Sequence, residues 1–388
     1  MAARARELSG PRLRPRVVSV PGEPRAAAAE LRAALGGVAP ALVLVFVAEG
    51  ATLAQITGEL REALGPGARV LGCSSAGGFA FGGYRDDRVV AIAFPAASFR
   101  AEAVWLRDLR QHMALDWIRA LRKMAGGFGP VAPGWSRFGL LMIDGLSRRE
   151  EVVAATVDAA LGDLPVLGGS AGDGLRFGRT HLALDGESHA ESAIFCLVAS
   201  AFPVEEVVFD HFTPASGRMV VTEALPEERV ILTINAEPAA EEYARLIGVA
   251  EAELGPRAFA AHPLLTRMGG RHAVRAIQAV TPERGLSLMS SVETGTTMTL
   301  GRAGSMTEGL EARMAGLGPA ALILGFDCVL RRIALEQAGL GQAVGRIYRQ
   351  HRVAGFNTYG EQHGGLHVNQ TFVGLAFLEP GGIHAAGD

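Results

Sequence analysis

Short polar side chains gather at three glycine-rich bends, and these are the first chemical signal in this 388-residue chain. GCSSAGG (72–78) carries Cys73, Ser74 and Ser75. GGSAGDG (168–174) carries Ser170 and Asp173, and GFNTYGE (355–361) carries Asn357, Thr358, Tyr359 and Glu361. Hydroxyls, an amide and carboxylates beside backbone N–H groups are the means of holding a polar or anionic guest. Glycine lets the main chain take positive φ and come close to a ligand. Taken singly, each bend reads first as a tight turn that needs small residues. None is a phosphate loop, since GxxxxGK[ST] is absent, and GxGxxG and GxSxG are missing at a strand-to-helix junction.

The elements that must position these bends recur with them. ALVLVFVAEG (41–50), a helix over about 52–64, RVLGCSSAGG (69–78) and RVVAIAF (88–94) form one block. FGLLMIDG (138–145), a helix over about 147–161, PVLGGSAGDG (165–174) and SAIFCLVA (192–199) form a second. AALILGFD (320–327), a helix, RVAGFNTYGE (352–361) and QTFVGLAF (370–377) form a third. Leu42 to Gly72, Leu140 to Gly168 and Leu322 to Gly355 keep a similar spacing. Repetition of this kind points to a scaffold whose bends face one site. The expected fold is α/β, with repeated strand–helix–strand–turn–strand units forming mixed sheets. Runs such as MVVTEA (219–224), RVILTI (229–234), HAVRAIQAV (272–280) and LSLMSSVE (286–293) predict a more antiparallel middle region. Ser147 and Glu150 have the spacing of a helix capping box. Asp144 and Asp327 close equivalent strands, placed to cap the next helix or to meet a ligand cation.

Composition sets the outer limits. Hydrophobic content of 49% supports large cores, and 20% charge with a net charge of −3 argues against disorder and against a dedicated nucleic-acid binder. Lys123 is the sole lysine, which is best read as codon bias. Cys73, Cys196 and Cys328 form neither a disulfide framework nor a metal spacing, so a reducing cytoplasm is expected. No apolar run is long enough to span a membrane. The chain divides into a flexible arm (1–25), a domain with two blocks (26–200) and a domain ending in the third block (201–380).

With these strings in view, a resemblance can be stated. GCSSAGG and DDRVVAIAF (86–94) resemble the N-terminal FIST domain of bacterial signalling proteins. FDCVLRR (326–332), GFNTYGE and HVNQT (367–371) resemble the C-terminal FIST domain, the two together covering about 30–380. IDGLSRREE (143–151), LGGSAGD (167–173) and DHFTP (210–214) are most similar to the NosP group within that family. The resemblance implies a small-ligand sensor that binds haem, senses nitric oxide and regulates a partner histidine kinase or cyclic-di-GMP enzyme in trans. No kinase, cyclase or receiver segment occurs in the sequence. A homodimer is compatible with it.

If haem binds, an axial ligand is needed. His211 sits between two phenylalanines in FDHFTP and ranks first as the iron ligand. His262, in FAAHPLL, ranks second, and His367, in HVNQT, third. A packed, hydrogen-bonded core histidine is the commoner role of each. The remaining candidate contacts are Cys73, Ser74, Ser170, Asp173, Asn357, Tyr359 and Glu361. The alternative is a haem-free FIST module for a small polar metabolite such as an amino acid. Catalysis through Cys73 or Cys328 ranks last, because no base is nominated, and the chain is expected not to be an enzyme.

Overall fold

A computed structural model describes residues 12–21, 24–48, 50–85, 88–111, 113–268 and 271–379. Most of the expected arm, residues 1–11 with 22 and 23, lies outside them, as do Asp86 and Asp87. Within the arm, Arg16–Pro21 is a strand paired antiparallel with Arg88–Pro95.

The repeats fold as three sheets of six strands each. In the first, Pro40–Val47 pairs parallel with Arg69–Ser74 and antiparallel with Arg88–Pro95. In the second, Ser136–Ile143 pairs in the same way with Val166–Ser170 and Ala193–Ser200. In the third, Ala320–Cys328 does so with Val353–Thr358 and Phe372–Leu378. Alternate residues of each first strand face two cores. Leu42, Leu44, Phe46, Leu140, Met142, Leu322, Leu324 and Phe326 meet in one core shared by all three sheets. Val43 and Val45 instead meet Leu53, Ile56 and Leu60 of the helix Leu53–Leu64. Burial on both faces is why these strands read as unbroken apolar runs.

The hairpin after each bend leaves its own block. Gly78–Ala80 and Tyr84–Arg85 extend the third sheet through Val353–Thr358. Leu182–Leu184 and Glu187–His189 extend the first sheet through Arg69–Ser74. Glu361–His363 and Leu366–Val368 extend the second through Val166–Ser170. This cyclic exchange ties the blocks into one body around the shared core.

A further antiparallel sheet of nine strands holds the middle region, inserted between the edge strand Val204–Phe209 and the helix Glu308–Ala315. Within it Ile277–Val280 pairs antiparallel with Leu286–Leu288.

The repeated glycine differs from expectation. Gly72, Gly168 and Gly355 lie inside strands, opposite Val45, Leu141 and Gly325. A Cβ at these three positions would stand 2.7, 1.8 and 1.8 Å from the carbonyl oxygens of those partners. The glycines are kept for close approach of neighbouring strands, not for a turn. The two acids are also not equivalent. Ile143 and Asp327 occupy matching register positions, so Asp144 corresponds to Cys328. Asp327 therefore faces inward and meets the fully buried Arg331 at 2.8 Å.

Candidate functional site

The three bends do converge, and main-chain hydrogen bonds lock them in a ring. Ala76 N–H donates to Asn357 O (2.9 Å), Gly172 N–H to Ser74 O (3.1 Å) and Tyr359 N–H to Ser170 O (3.1 Å). A Cβ on Gly172 would lie 2.9 Å from the Tyr359 ring and 3.0 Å from Ala76 N, so the space between the bends is filled.

The polar side chains of the bends are buried and spent on the fold. Ser74 Oγ accepts the His181 N–H at 2.8 Å, and Ser170 Oγ accepts the Gln362 amide at 2.9 Å. Asn357 donates to Asp327 O at 3.2 Å. Glu361 is fully buried, bonded by the Thr358 hydroxyl and by the Thr371 N–H at 3.3 Å, and burial raises its pKa. Burial likewise raises the thiols of Cys73 and Cys328, opposite to what a nucleophile or thiolate ligand needs. Burial opposes ionisation of Asp173, but the Tyr359 hydroxyl and the N–H groups of Arg179, Gly178 and Phe177 outweigh it and lower its pKa. Asp173 thus organises the loop that follows it.

Open space lies beside the bends. A cleft of about 720 Å³ is lined by Gly145–Glu150, Phe177, Gly178, Glu227–Arg229, Ser287–Met289 and Tyr359, among others. Four other cavities measure about 380, 400, 460 and 570 Å³. Of the residues nominated from the sequence, Tyr359 alone reaches this cleft.

A buried charge cluster forms the cleft floor. Arg229 Nη2 meets Glu150 at 2.6 Å and Glu151 at 2.8 Å, and its Nη1 donates to Met289 O at 2.8 Å. Two carboxylates share one guanidinium, so they ionise unequally. Burial, despite the facing Arg229, raises the Glu150 pKa to about 7. Burial is outweighed at Glu151 by the charges of His367 and Arg229, and its pKa falls. The expected capping box is not made. Ser147 Oγ accepts the Arg149 N–H at 3.2 Å, while the Glu150 carboxylate turns to Arg229.

The rim carries charge in reserve. Arg110 pairs with Glu191 and Arg149 with Glu227. Arg148 and Glu228 are exposed, and neither makes a hydrogen bond or ion pair among the described residues. Arg148, Phe177 and Arg229 have φ of +56°, +50° and +58°. Such conformations are unfavourable for side-chain-bearing residues, and they gather at functional sites. Sequence reasoning missed these three because backbone strain leaves no mark on residue type.

Residues 41–237 match the FIST N domain and residues 239–363 the FIST C domain. The chain belongs to the FIST family. FIST domains are sensory domains for small ligands in signalling proteins. The cleft draws its lining from both matches, residues between Arg110 and Arg229 from FIST N and between Gln278 and Tyr359 from FIST C. No curated protein matches the chain. No helix among the described residues is long and apolar enough to cross a membrane.

The three histidines nominated in this FIST chain lie away from the cleft beside the bends. His211 suits iron chemically. Its Nδ1 is buried without a hydrogen-bond partner among the described residues, and burial plus the nearby Arg331 charge lower its pKa to about 4. Its ring packs on Phe212 at 4.0 Å, and its neighbours Asp210 and Phe212 line the cavity of about 400 Å³. His262 is half-buried at a helix end, and its carbonyl accepts the Tyr243 hydroxyl at 2.8 Å. His367 Nδ1 accepts from Gln362 at 3.2 Å, and burial lowers its pKa to about 4. None of the three lines the cleft or the four other cavities measured above.

Proposed function

We propose that this FIST protein senses a small polar metabolite in the cleft between its two matched domains. One observation carries the reading: a roomy cleft with a cation, Arg148, and an anion, Glu228, both unpaired among the described residues, on a rim drawn from FIST N and floored in part by FIST C. Opposite charges in reserve suit a zwitterion such as an amino acid. A ligand touching both stretches stabilises the cleft conformation that it fits, which is what a sensor needs to signal. The output passes in trans to a partner, a histidine kinase or a cyclic-di-GMP enzyme. Thermal-shift screening of purified protein tests this, because a ligand that binds the folded state alone raises Tm. A hit should be lost in Arg148→Ala. Silence across amino acids and other small polar metabolites would remove the support.

A second reading is haem-based sensing of nitric oxide through His211. It is favoured by the buried, neutral and unpartnered Nδ1 of that residue. Since Phe212 packs on the ring, binding requires the segment Phe212–Pro214 to move aside. When bound, haem would supply the iron that takes the gas. Purified protein should then show a Soret band that shifts with nitric oxide and disappears in His211→Ala. Protein that stays colourless after haem addition ends this reading.

A further inference from the structure

The cleft wall contains an apolar feature that its charged rim does not explain. Phe177 lines the cleft and is 41% exposed. One face of its ring rests on Tyr359, with centroids 4.6 Å apart and planes 23° apart. The Phe177 backbone sits at φ +50°, a conformation that bulky residues avoid. A buried carboxylate holds it there. Asp173 Oδ1 accepts the Phe177 N–H, and Oδ2 accepts those of Gly178 and Arg179, each at 2.9 Å. The Tyr359 hydroxyl donates to the same Asp173 Oδ1. One acid, 5% exposed, therefore fixes both rings of the stack. A phenyl ring packed in a core would account for itself. An exposed one, held at a strained φ by a buried acid, presents a flat apolar surface to whatever enters the cleft.

The cation nearest in kind is equally available. Of the four cleft arginines, Arg110, Arg149 and Arg229 are engaged with carboxylates. Arg148 is not, among the described residues, and it too is held at positive φ, +56°. Glu227 and Glu228 on the rim disfavour a polyanion.

We propose that the cleft takes a planar aromatic monocarboxylate, its ring on the open face of Phe177 and its carboxylate on Arg148, with Asp173 as the positioning residue. This rests on the cleft being the ligand site, and among small polar ligands it selects a ring bearing one carboxylate in place of the zwitterion, with Glu228 left to disfavour a second negative charge. Stacking supplies the preference for a ring. A charge-assisted guanidinium–carboxylate bond supplies the preference for the acid.

Calorimetric titration of the full chain tests it with four probes: indole-3-acetate, 4-hydroxyphenylacetate, glutamate and tryptamine. The two aromatic acids should bind, and glutamate, which lacks the ring, and tryptamine, which reverses the charge, should each bind about tenfold more weakly or not at all. Phe177→Ala and Arg148→Ala should each weaken the aromatic acids about tenfold. Phe177→Leu, which keeps apolar bulk but loses the flat face, should resemble Phe177→Ala. Asp173→Asn should weaken the same ligands while retaining their order. Binding of glutamate without binding of the aromatic acids would overturn this inference and leave the cleft as a ligand site. Aromatic acids that bind Phe177→Ala undiminished would overturn it too. Silence of every probe would overturn it and count against the cleft itself.

Discussion

The ring of bends and the cleft beside it hold similar residue types and behave in opposite ways. In the bends, Ser74, Ser170, Asn357 and Asp173 are buried, and each is bonded to another part of the chain. In the cleft, Arg148 and Glu228 reach solvent and make no hydrogen bond or ion pair with any described residue. The polar groups of the bends knit three blocks together, because a buried donor or acceptor must be paired. A group able to bind a guest is one whose bonds are not yet made and which faces space. Polar density alone does not tell the two apart.

Substitutions that separate the regions should fall in order of size. Asp327 lies in the body of the fold, where the Arg331 guanidinium and the hydroxyls of Tyr84 and Tyr348 converge on its carboxylate. Asp327→Ala leaves a fully buried cation unpaired, and denaturant unfolding should show a loss of about 3–5 kcal/mol. A loss below about 1 kcal/mol would mean that the network is not closed as described.

Glu150 belongs to the cleft floor and should have a smaller, pH-dependent effect. Its pKa rises from 4.5 to about 7 on folding, so the native state holds the proton more tightly than the unfolded chain. That contribution is complete below pH 4.5 and is lost as pH rises to about 7, to an upper limit of about 3 kcal/mol. His211 and His367, each lowered to about 4, act in the opposite sense, losing stability as pH falls through the same window. The quantity to measure is therefore the difference between the native protein and Glu150→Gln. The native protein should lose stability relative to Glu150→Gln as pH rises from about 4.5 to about 7, and a flat difference would refute the buried-acid assignment.

Arg148 should matter least to the fold. Without a bond to any described residue, Arg148→Ala should change unfolding free energy by less than about 0.5 kcal/mol, even as it weakens ligand binding. A larger loss would place Arg148 among the structural groups and blur the contrast between the two regions.

Much of the fold was legible because its signals are local. Unbroken apolar runs marked the first strands, and the expected helices at 52–64 and 147–161 appear as Leu53–Leu64 and Glu150–Leu161. The antiparallel middle region showed through its short strand-like runs. The hairpin exchange was not legible. Nothing in Glu361–His363 says that it pairs with Val166–Ser170 rather than with its own block, since strand choice depends on contacts far apart in the chain. Which nominated residues face open space was not legible for the same reason: Tyr359 reaches the cleft, and the others do not.

By itself the sequence determined the triplicated α/β architecture and the kinship with FIST sensors, because periodicity and motif strings are properties of neighbouring residues. Tertiary structure alone decided which polar groups are satisfied and which are spare. That depends on partners brought from other blocks: Gln362 to Ser170, His181 to Ser74, and none to Arg148 among the described residues.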